Sequence, residues 1–300
     1  MELGVKKDAV MDWLKRGVLL LALGFLAPAS ALGQEVDPLA PADETGEWVP
    51  AFAVAMGVRV QGADANASST IRPPAGGDDM TVEPFVGVDF QVMGPSWFDD
   101  LPGRPRLFLH GGVLPAFGFD RDIAKDGDPD GFRLPDAAVF PEGAIEGVGT
   151  ATSLNPGHLM FTAGIGAAFE FTFLERRAWL KTSLEYIRYD LEIEGKVLNA
   201  TKPLVVDPNI RFVTIGASEN LDVDAIGPGV ELEIDAGVYR RVGFSVFAGV
   251  QGYKVLGDTE VNFGGSFTDP VGPEAARFSL QIDPWLVKGG IGLRMRWLPQ

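Results

Sequence analysis

From Trp48 to Trp297 the side chains alternate, residue by residue, between an apolar face and a small or polar one. Successive side chains of an extended strand point to opposite sides, so Ile291, Leu293, Met295 and Trp297 share one face while Gly290, Gly292, Arg294 and Arg296 share the other. The same division recurs upstream along Trp48 to Gln61, Val82 to Val92, Leu107 to Phe119, His158 to Phe173, Leu180 to Tyr186, Ile226 to Tyr239 and Val242 to Tyr253. The last repeat runs from Arg277 to Trp297. None of the apolar faces carries Asp, Glu, Lys or Arg in its central stretch. That restriction has a specific meaning, because a cation facing lipid at mid-depth costs about 2–4 kcal/mol. The opposite faces, such as Ala51, Ala53, Ala55 and Gly57, are too poor in charge for a solvated surface but suit a narrow lumen.

Eight such strands predict an all-β fold, an eight-stranded antiparallel transmembrane β-barrel spanning residues 48–297, closed so that no edge is left unpaired. Ile210 to Ile215 offers an additional arm, so ten strands are possible. The connections alternate long and short, as in a barrel with both ends in the periplasm, long loops outside and short turns inside. Trp48, Phe171, Phe173, Trp179 and Trp297 fall near the inferred periplasmic ends, where an aromatic girdle belongs. Apparent slips of parity near Ile187 and near Val287 to Gly289 suggest bulges.

The N-terminus supplies the route. Lys15 and Arg16 precede the apolar run Gly17 to Leu26, and Ala29-Ser30-Ala31 follows with the small residues a signal peptidase needs. Residues 1–31 are read as a cleaved signal peptide, with Met1 or Met11 as the start, residues 32–47 as a flexible periplasmic lead and residues 298–300 as a C-terminal tail. A formal charge of −16 argues against nucleic acid as a partner. With no Cys in the chain, disulfides, thiolate metal sites and Cys nucleophiles are excluded.

Lys288, Gly290, Leu293, Met295 and Trp297 form a polar residue, a Gly, two alternating hydrophobics and a closing aromatic. This resembles the assembly signal on the terminal strand of bacterial outer-membrane barrels, and the whole of Trp48 to Trp297 resembles the small OmpA/OmpX-like group. The resemblance implies residence in the outer membrane, contact with its lipid and lipopolysaccharide, and delivery by periplasmic chaperones to the barrel-assembly machinery. It also covers porin-like pores, cell-envelope anchors, adhesins and lipid-modifying enzymes, so fold leaves the role open. The enzymes of this kind depend on a His paired with Ser or Asp near the outer rim. His158 is near that rim but has Met160 two residues on, and His110 lies far below it. No catalytic residue is assigned, and the chain is expected not to be an enzyme.

With the apolar face toward lipid, the lumen receives Asp89, Glu170, Lys181, Glu185, Glu231, Glu233, Asp235, Arg294 and Arg296. Charges confined there must pair, so Lys181, Arg294 and Arg296 are expected to bridge the acids and leave no continuous pore. The alternative is a small cation-preferring channel. Function is then expected in the outer loops, chiefly Asp120 to Pro156 and Gly195 to Asn220, in a structural or surface-interaction role whose ligand the sequence does not name. Asp126, Asp128 and Asp130, at alternate positions and followed by Gly131, resemble the opening of a calcium loop. Calcium is the one cofactor the sequence suggests.

Overall fold

The computed structural model describes residues 48–96, 101–118, 120–127, 149–201, 211–269 and 272–298. The signal peptide, the lead and the end of the tail lie outside these residues. Ten strands follow one another: β1 (Val49–Ser69), β2 (Ala75–Ser96), β3 (Arg106–Pro115), β4 (Arg121–Gly127), β5 (Gly149–Phe173), β6 (Arg176–Thr201), β7 (Arg211–Tyr239), β8 (Val242–Leu256), β9 (Glu260–Asp269) and β10 (Gly272–Trp297). Eight of them, in the order β1-β2-β3-β5-β6-β7-β8-β10, close into an antiparallel ring through the β10–β1 pairing. The other two stand off the ring, β4 on β5 and β9 on β10. Residues 211–215 belong to β7 itself and add no separate hairpin arm.

The strands run well beyond the repeats visible in the sequence. At about 3.3 Å per residue and a tilt near 40°, the 26 residues of β6 rise about 65 Å, against an apolar belt of about 25 Å. Along β6 the outward side chains Leu180 and Leu184 give way after Tyr186 to Arg188, Asp190, Glu192 and Glu194, while the inward ones change from Lys181 and Glu185 to Ile187, Leu191 and Ile193. Polarity inverts here and parity does not. Ile187 pairs with Thr162 and Ala225 and β6 itself carries no bulge there; the nearby irregularity lies on β5, between the Pro156↔Leu191 and Met160↔Tyr189 pairs. The β10 register is likewise continuous through Val287 to Gly289; its irregularity comes earlier, between the Gln61↔Leu286 and Ala63↔Ile282 pairs.

The inversion marks a change of architecture. β3 ends at Pro115 and β8 at Leu256, and above them the ring divides into two sheets, β2-β1-β10-β9 and β4-β5-β6-β7. The sheets face each other across an apolar core that includes Ala63, Leu280 and Ile282 on one side and Ile123, Leu154, Leu191 and Ile193 on the other. A second cluster with Val197, Ile215 and Phe278 continues it toward the tip. The lower half is a barrel, apolar outside and polar within; the upper half is a sandwich, polar outside and apolar within. Much of the length read from sequence as loops, within Gly62 to Met80, Asp120 to Pro156 and Gly195 to Asn220, is therefore strand. The alternation there is real but its polarity is reversed.

Two-residue turns close the opposite rim. Leu174 and Glu175 both take positive φ between β5 and β6, and Arg240 does so between β7 and β8. Primed turns match the right-handed twist of the flanking strands, which is why the chain accepts left-handed residues there.

Candidate functional site

The lumen of the lower half holds the densest chemistry in the chain, and strand register assembles it. Lys181 on β6 sits directly opposite Glu231 on β7, and Asp235 on β7 opposite Ser245 on β8, which pairs in turn with Arg294 on β10. Glu233, fully buried, is the hub: Lys181, Arg294, Arg296 and the Ser245 hydroxyl all donate to it. Glu231 takes Lys181 at 3.1 Å and Arg294 at 2.5 Å, and Asp235 takes Arg296 at 3.2 Å. Asp89 lies 3.8 Å from Arg294. Glu170, near the rim, is held by Arg177 at 2.8 Å.

Glu185 anchors a second tier, accepting from Lys288 and from the Tyr253 hydroxyl. His110 ties the tiers together, with Nδ1 3.3 Å from Asp89 and Nε2 3.6 Å from Glu185. Between them is a cavity of about 70 Å³ lined by Gln91, His110, Ser183 and Gln251 among others. Above it Arg59 pairs with Glu83, and its guanidinium lies 3.5 Å over the Tyr189 ring. Tyr189 donates to Gln61 Oε1 at 2.6 Å. Burial pushes that phenol up to about 12, opposed by the Arg59 charge and aided by that of Glu83, so it remains a donor.

Aromatic side chains fill the remaining lumen by lying over glycines directly opposite them. Phe108 covers Gly166, Phe247 covers Gly292 and Phe85 covers Gly57. A Cβ on Gly166 would stand 2.5 Å from the Phe108 ring, and one on Gly57 2.7 Å from that of Phe85. Trp179 also points inward, fully buried, with Arg177, Arg296 and Arg106 at 4.7, 5.4 and 5.5 Å from its ring. It is no part of an outer girdle, because its parity is that of Lys181. Trp48, Phe171, Phe173 and Trp297 do face outward, partly exposed.

All nine charges assigned to the lumen from sequence carry ion pairs there. Arg59 and Glu83 were missed, although their positions on the polar faces of the repeats were available to find them, and Arg106 was missed because the strand begins one residue before the Leu107 repeat. Of the terminal-strand residues, Lys288 is buried in the lumen, Gly290 lies 3.3 Å below the Phe85 ring if given a Cβ, and Leu293, Met295 and Trp297 face outward. Asp126, the last residue but one of β4, pairs with Arg72 at 2.8 Å. Asp128 and Asp130 lie outside the described residues, as does the side chain of His158. No group of three His, Cys, Asp or Glu suited to a metal occurs among the described residues.

No family model matches the chain, and no curated protein matches it by sequence. Among solved structures it is similar to Ail, the attachment invasion locus protein of Yersinia pestis, at 9% identity and a TM-score of 0.28, covering 80% of this chain and 97% of that one. Neisserial surface protein A gives 11% identity and a TM-score of 0.28, with 82% and 99% covered. A TodX deletion mutant, a monoaromatic hydrocarbon channel, gives 8% and 0.20, with 82% and 91% covered. The fold rests on the chain's own strand ring: an antiparallel β-barrel of eight strands that resembles the small OmpA/OmpX-like barrels.

Proposed function

We propose that this chain is an integral outer-membrane protein whose lumen is closed and whose role is structural or surface-interacting. The observation that carries this reading is the apolar core of the upper half, where Ile187, Leu191, Ile193, Leu280 and Ile282 are all essentially inaccessible. An ion crossing the barrel would meet paired charges first and then a dry sandwich, and desolvating it there is prohibitive. The belt of outward Val54, Phe90, Ile165, Leu184, Val230 and Leu293 supports placement in lipid. The terminal strand supports assembly by the outer-membrane machinery. His110 is held between the carboxylates of Asp89 and Glu185, which supports a structural role for it in the closed lumen. The solvated outer face of the sandwich is the surface offered to partners.

Purified full-length protein in a planar bilayer tests the closure. The expected trace is silent. Large, steady, cation-preferring conductance would overturn the closed reading and establish a small channel instead.

A further inference from the structure

The two sheets of the sandwich meet along two seams, and the seams differ. At the first, between β2 and β4, Asp79 lies on the core-facing side of its strand yet is exposed. Arg121 of β4 reaches across, 3.1 Å from the Asp79 carboxylate and donating to the Met80 carbonyl at 3.2 Å. Arg72 and Asp126 add a second stitch. At the other seam, between β7 and β9, no hydrogen-bonded ladder joins the strands among the described residues. Their backbones approach at glycines, where a Cβ on Gly265 would stand 2.8 Å from the Gly216 carbonyl oxygen.

Glu219 occupies on β7 the place that Asp79 occupies on β2. It falls on the core-facing side, in step with Ile215 and Val223, yet is exposed, and no cation pairs with it among the described residues. Beside it the apolar walls are only partly covered, Ala217 and Leu221 on β7 and Val261 and Phe263 on β9. The surrounding outer surface carries Glu192, Glu194, Asp222, Asp258 and Glu260. Resting on the surface-interaction reading above, we propose that the β7–β9 seam binds an extended cationic polypeptide segment by strand addition. Its backbone pairs with the open strand edges, its alternate apolar side chains cover the half-buried walls, and a Lys or Arg supplies to Glu219 what Arg121 supplies to Asp79. Parting Gly216 from Gly265 breaks no hydrogen bond, and the apolar packing of Ile215 and Phe263 that it loosens is replaced by the apolar side chains of the added strand.

The probe is a fluorescent octapeptide, Thr-Val-Thr-Lys-Thr-Val-Thr-Val, whose single Lys stands among the valines of one face, titrated by anisotropy into the full chain in phosphatidylcholine nanodiscs. Saturable binding is expected, with hydrogen-exchange protection confined to residues 213–222 and 260–268. Glu219→Gln should weaken it on the order of tenfold, whereas Asp78→Asn, exposed on the outer face of β2 away from this seam, should change it little. The same peptide N-methylated at alternate residues keeps its charge and must lose binding. Equal binding of the methylated peptide, protection elsewhere, or no binding at all overturns the proposal. A silent bilayer trace with no peptide binding would sink this inference alone; conduction would sink the closed-lumen reading.

Discussion

Glu233 accepts from Lys181, Arg294, Arg296 and Ser245, and its removal leaves three buried cations short of charge. Breaking a buried ionic cluster by deleting one member costs about 3–5 kcal/mol, because the stranded charges have lost water and gained nothing. Glu233→Gln is therefore expected to lower the unfolding free energy of the refolded barrel, read from urea titration, by that order. Glu170→Gln, at the rim with a partly hydrated partner, should cost about 1 kcal/mol or less. Equal losses from the two would mean that the lumen is more hydrated than its burial indicates. The alternation of the sequence placed these charges on one wall, but the hub position of Glu233 comes from the three-dimensional meeting of β6, β7, β8 and β10. A linear pattern cannot rank members of a face by how many others they reach.

The turns and the belt carry the predictions at the level of elements. Leu174 and Glu175 both hold left-handed conformations, which disfavour residues with a Cβ by roughly 1–2 kcal/mol each. Replacing the pair with Asn-Gly, the residues a primed turn prefers, should raise stability by about 1–2 kcal/mol in urea unfolding. On β6 the belt ends after Tyr186, so Leu180→Arg, near the middle of the belt, is expected to destabilise the membrane-inserted barrel by about 2–4 kcal/mol. Glu192→Arg, further along the same outward face and beyond the belt, should stay within about 0.5 kcal/mol. A comparable loss at both sites would place the lipid boundary higher than the polarity inversion does.

The molecule as a whole combines two solutions to the burial of a β-sheet. In lipid the wall presents apolar side chains outward and must satisfy its polar interior by pairing; in water the same strands present charge outward and bury an apolar core. A continuous β6 or β7 serves both because the change needs only an exchange of residue types between faces. This predicts that proteolysis of the intact protein in nanodiscs should spare the sandwich as well as the barrel, since both are hydrogen-bonded sheet. Rapid cleavage within residues 188–198 or 213–223, read by mass spectrometry, would contradict a folded upper half.

The sequence by itself determined the eight-stranded ring, which side of each repeat is apolar and which charged residues share the opposite side, since a period of two leaves each side chain only two directions. It also made the switch near Ile187 visible, but as an apparent slip of parity. Only the tertiary structure decided that this was an inversion of polarity, that long supposed loops are strand, and that the ring opens above the belt into two sheets. The physical reason is that alternation reports which residues share a face, whereas the identity of the medium against that face, lipid, water or another sheet, is fixed by what folds opposite it.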